Sequence, residues 1–130
     1  MKSICKMEKL MINKENVQKL IDLVDDLPDE KFNMVDFFVP NDCGTAYCLC
    51  GLVNCILLDR PRECAGNERA ARTFLGFSDD LDLGYELFYG GSLKRPDVTR
   101  EMAINVLKIL RDTGRVDWKA VGAPHYEDGE

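Results

Sequence analysis

The sequence predicts a mainly α-helical fold, a compact single-domain bundle of about five helices around a buried central helix. Three observations predict it. Apolar residues recur at i, i+3, i+4 and i+7 in two separate stretches, one near each end of the chain. Between them, TAYCLCGLVNCILL is apolar on nearly every side, the pattern of a helix enclosed by its neighbours. Helix stop signals at Pro28, Pro61, Gly76, Gly90-Gly91 and Gly114 separate the segments. At 130 residues the chain is the size of one domain, residues 1–130, with residues 1–12 and 123–130 expected as flexible ends.

The first helix lies between Asn13 and Leu27. Val17, Leu20, Ile21 and Val24 form its buried stripe, Asn13 caps its start, and Pro28 forces Leu27 out of helical geometry. In the connection that follows, Phe32, Val35, Phe37, Phe38 and Val39 suit either a short strand or a packed extended segment, and Pro40 to Gly44 reads as a turn. The central helix is expected over residues 45–58 and ends at Asp59-Arg60-Pro61. A third helix runs from Asn67 to Leu75, with Ala70, Ala71 and Phe74 inward and Gly76 as its stop. A fourth starts at a Ser78 cap followed by Asp79, Asp80 and Asp82, with Leu81, Tyr85 and Phe88 sharing a face and Gly84 weakening its interior. The last helix starts at Thr99, buries Ala103, Val106, Leu107 and Leu110, and ends at Gly114. Trp118 is expected to fold back onto the core, and APHYEDGE to fray. The expected core also includes Leu49, Leu52, Val53, Ile56, Phe74, Leu87 and Phe88.

Composition narrows the partners. Seventeen Lys and Arg against twenty-three Asp and Glu give a net charge of −6, which repels phosphate backbones and anionic lipid surfaces. We therefore expect no direct nucleic-acid or membrane partner. Lys6, Glu8 and Lys9 interrupt any signal-like apolar stretch, and Met7 and Met11 offer alternative starts. The run from Ala46 to Leu58 is well short of the roughly 20 residues that span a bilayer. The expected location is the cytoplasm, where the six cysteines stay reduced.

Cys43, Cys48, Cys50, Cys55 and Cys64 raise metal binding first. Within a helix, Cys48 and Cys50 point about 200° apart, and Cys48 and Cys55 stand roughly 10 Å apart along the axis. Neither pair can hold one ion, and the separation also forbids a Cys48 to Cys55 disulfide. Cys43 and Cys48, joined by Cys64, Cys5 or His125, remain the candidate zinc ligands, although no CxxC spacing supports them. The simpler account is that small thiols let helices approach closely, so no cofactor is expected. A nucleophilic Cys43 or Cys48 near a helix start is a further alternative, but the lone histidine, His125, is distant in sequence and in a tail. Asp79, Asp80, Asp82 and Glu86 fail the calcium-loop pattern, because Gly84 and Tyr85 fall where a ligand and a glycine are needed. The loop Tyr89 to Arg95 lacks the ending of a P-loop.

Acidic charge concentrates at Asp22, Asp25, Asp26, Asp29, Glu30 and Asp36. Such a patch can occupy a basic groove on another protein, and solvated helix faces look the same. The segments CGTAYCLCG, FLGFS, YELFYG and VTREMAINVLKILRDTGRVDW together resemble a group of small uncharacterised bacterial and bacteriophage proteins, over about residues 43–118. The resemblance implies a shared architecture and a bacterial or phage setting, and no catalytic role; Cys50 and Cys55 depart from the pattern. The expected function is stoichiometric binding to another protein, as by a phage-encoded, anti-CRISPR-like inhibitor of a host enzyme or defence complex. A cysteine-based metal or small-ligand domain is the alternative, and a thiol enzyme the third.

Overall fold

The computed structural model describes residues 12–34, 38–41 and 44–126, with backbone alone for 38–41 and 44–47, and these residues are mainly helical. Helix α1, Lys14–Asp26, is capped by the Asn13 side chain, which accepts from the Asn16 amide at 3.0 Å. Leu27 turns extended ahead of Pro28 and ends it. Val17, Leu20, Ile21 and Val24 are all buried. The α-helix Arg100–Thr113 is its main partner.

A two-stranded antiparallel hairpin follows α1. Strand β1, Phe38–Asn41, pairs with β2, Gly44–Tyr47, in the register Phe38↔Tyr47 and Asn41↔Gly44. The expected central helix over 45–58 is therefore corrected at its start: residues 45–47 are strand. An apolar run satisfies a buried strand as well as a buried helix, and Thr45 and Tyr47 suit extended backbone once β1 offers a partner.

Cys48 is extended and caps helix α2, one α-helical turn, Leu49–Gly51, continuing as a π-helix, Leu52–Leu57. Leu49, Cys50, Leu52 and Val53 are sealed in the core. Asn54 is also completely buried and cross-links α2 to the loop beyond it, its amide donating to the carbonyls of Cys50 (3.1 Å), Ala65 (3.3 Å) and Asn67 (3.0 Å). Ile56, expected in the core, is instead 45% exposed. The i to i+5 winding turns less per residue, so Ile56 falls short of the face that Leu52 and Val53 bury.

Helix α3, Glu68–Leu75, is capped by Asn67, with Phe74 only partly buried at the edge of the core. It ends at Gly76, whose φ of +97° suits glycine and whose bare Cα lies so close to Asn13 that a Cβ would stand 2.3 Å from its backbone nitrogen. The Asn13 amide donates to the Leu75 carbonyl at 3.0 Å, tying the end of α3 to the start of α1. Helix α4, Leu81–Phe88, is capped by Asp80 and not by Ser78, whose carbonyl instead accepts from Arg72. Helix α5, Arg100–Thr113, is capped by Thr99 and stopped by Gly114.

Helices α1 and α5 run antiparallel. Arg100 at the start of α5 donates to the Val24 and Asp25 carbonyls at the end of α1, which has no basic residue in its own last turn, and Arg111 reaches Gln18 at the other end. Trp118 is 4% exposed and donates its indole N–H to the Glu86 carbonyl at 2.8 Å. The expected fraying of the C-terminal tail is corrected as far as Tyr126. Ala123 is buried, the Lys94 amide donates to the Pro124 carbonyl, the Tyr126 amide donates to Ser92, and Leu93 bridges His125.

Candidate functional site

Helix α4 does not bury the face its sequence suggests. Gly84, Leu87 and Phe88 face inward, whereas Leu81 and Tyr85 are 65% and 54% exposed. Gly84 packs on α3: a Cβ there would stand 2.6 Å from Cδ of the buried Arg72, so a larger residue would force the Arg72 side chain to shift. The expectation that Leu81, Tyr85 and Phe88 share a face is thus corrected, Phe88 alone of the three being buried. An interior glycine on a short helix was the sequence signal for the inner side.

Leu81, Tyr85 and Tyr89 follow one another at i, i+4 and i+8, so they form a continuous stripe. The Tyr85 and Tyr89 rings lie 5.5 Å apart between centroids, and the Arg95 guanidinium sits 5.5 Å from the Tyr89 ring centre. Tyr89 donates its hydroxyl to Glu68 of α3, and burial followed by that carboxylate pushes the phenol well above its ordinary range. The stripe therefore runs from an open leucine to a fixed tyrosine. Asp79, Asp82 and Glu86, all exposed, flank its open end.

Close to Tyr89 lie Cys48 and Cys50 of the CGTAYCLCG motif. Burial pushes Cys48 up, against the backbone amides of Gly51 and Cys50 and the charge of Arg95. Cys50 is pushed up as well, by burial and then by its neighbours Cys48 and Glu68. Burial also raises Cys55. Cys48 and Cys50, sealed from solvent, are thereby poor both as nucleophiles and as metal ligands.

The other sequence candidates are dispersed. Cys64 is half-buried in a single turn, Arg62–Cys64, and Cys43 lies outside the described residues. Among the described residues no three His, Cys, Asp or Glu side chains come together as a metal group. His125 turns Nδ1 to the Ala123 carbonyl at 2.9 Å and lines a shallow hollow with Glu86, Asp117, Trp118 and Lys119. In the acidic patch, Asp22, Asp25, Asp26 and Glu30 are exposed, and Asp29 is held by Arg100 at 3.0 Å. Asp36 lies outside the described residues. Among the described residues no helix is long and apolar enough to cross a membrane. Comparison with protein families, with curated proteins and with solved structures yields no match.

Proposed function

We propose that this chain binds another protein stoichiometrically through the α4 stripe of Leu81, Tyr85 and Tyr89. The carrying observation is that Leu81 and Tyr85 stand 65% and 54% exposed on one helix face whose neighbours are acidic. Burying a leucine or an aromatic side chain contributes about 1.5–3 kcal/mol, and tyrosine and arginine are the residues that most often dominate interfaces. The acids Asp79, Asp82 and Glu86, together with the net charge of −6, select a partner with an apolar pocket rimmed by lysine or arginine. The acidic patch around Asp22 to Glu30 would act on encounter rate more than on grip, because it carries no large apolar anchor of its own.

The setting we propose is the cytoplasm of a bacterial cell or a phage-infected host, in keeping with the resemblance over residues 43–118. There a small rigid binder of this kind would inhibit a host enzyme or defence complex by occupying a basic site. To test the reading, a partner cross-linked to the chain in its own cells is identified, and its affinity is measured for wild type, for Leu81→Ser with Tyr85→Ala, and for neutralised Asp22, Asp25, Asp26, Asp29 and Glu30. The stripe variant should weaken binding by about 30-fold or more, equivalent to about 2 kcal/mol. Equal affinity for wild type and the stripe variant would exclude this face.

A further inference from the structure

Cys55 ends the buried part of α2 and Cys64 closes the turn after it, and both are half-exposed free thiols, unlike the sealed Cys48 and Cys50. The fold brings their segments to one carbonyl. The Cys55 sulfur lies 3.8 Å from the Pro61 oxygen, and the Cys64 amide donates to the same oxygen at 2.9 Å. Adjacent bonds fix this approach from both sides: the Asn54 amide holds the Ala65 carbonyl at 3.3 Å, and the Arg60 amide donates to the Asn54 carbonyl at 2.9 Å. Between them Asp59 has φ +55°, the one non-glycine residue with positive φ among the described residues, so the tight reversal is held in place by those bonds.

We propose that Cys55 and Cys64 are a reversible oxidation site, forming an intramolecular disulfide when a low-molecular-weight disulfide such as oxidised glutathione is the oxidant. One thiol, as its thiolate, attacks a sulfur of the oxidant, breaking its S–S bond and releasing one thiol. The second attacks the resulting mixed disulfide, forming the Cys55–Cys64 bond and releasing the other. Two electrons pass to the oxidant, and the two protons leave with the released thiols. The product fastens the end of α2 to the Arg62–Cys64 turn, with no involvement of the buried thiols.

The test is incubation of the native full chain with oxidised glutathione, an acid quench, and mass analysis of the intact protein and its peptides. The expected result is the loss of two hydrogens, a linked Cys55–Cys64 peptide, and accumulation of a single glutathione adduct in Cys55→Ser and in Cys64→Ser. Wild-type chains carrying unresolved glutathione at these positions would overturn the proposal. So would a bond from either cysteine to a different one, or no reaction at all.

Discussion

Helices α4 and α5 are both amphipathic, yet they use their apolar residues differently. Along α5 the buried positions are Ala103, Ile104, Val106, Leu107 and Leu110, and the exposed ones include Glu101, Asn105, Lys108 and Asp112. Its apolar stripe matches what the core requires. Along α4 the core takes Gly84, Leu87 and Phe88, and Leu81 and Tyr85 are left in solvent. That excess is the informative part: a helix apolar beyond its buried face has a second surface to fill.

The sharpest comparison sets two leucines against each other. Leu107→Ala should cost about 3–4 kcal/mol in urea denaturation, because it opens a cavity in the core, where Leu107 is fully buried. Stability should also fall in alkali. Cys48, Cys50 and Tyr89 have folded values raised by burial, so their stabilising effect is complete below the ordinary values, 9.0 for the thiols and 10.0 for the phenol, and is lost as pH rises from there toward the raised folded values. Because these groups lose their protons more readily once unfolded, stability should fall as pH rises above 9, and denaturation curves at pH 7, 9 and 10 would measure it.

Gly84→Ala probes which side of α4 faces in. Intrinsic helix propensity favours alanine by about 0.5–1 kcal/mol, but the clash with Arg72 should reverse the sign and leave a net loss of about 1 kcal/mol. A thermal shift upward would mean that α4 is rotated from the position described. Smallest of all, Leu81→Ala should change stability by less than about 0.5 kcal/mol, the range of a surface substitution, in spite of being the same exchange as at Leu107.

Much of this fold was legible because local chemistry and tertiary packing agree. Asn13, Asn67 and Thr99 cap the helices they precede, Gly76 and Gly114 end theirs, and the periodic stripes of α1 and α5 are buried as spaced. Legibility fails between Phe38 and Cys64. There the apolar run gives no period, so strand pairing took residues 45–47, and the bonds Asn54 makes to the Ala65 and Asn67 carbonyls accompany a π-helical winding that no spacing reveals. The exposure of the α4 stripe was not legible, since an apolar face has the same spacing whether it meets the protein or a partner. His125 was placed in a loose tail because its backbone partners, Ser92 to Lys94, are more than thirty residues away and leave no local sign.

The most direct test of the interaction face is native mass spectrometry of the untagged chain from its own cells, under reducing conditions, beside the Leu81→Ser, Tyr85→Ala chain. The account predicts a one-to-one protein complex for wild type and its loss in the variant, with melting temperatures that agree within about 2 °C. A complex retained in full by the variant, or a wild-type chain carrying zinc or a small molecule and no protein, would contradict it.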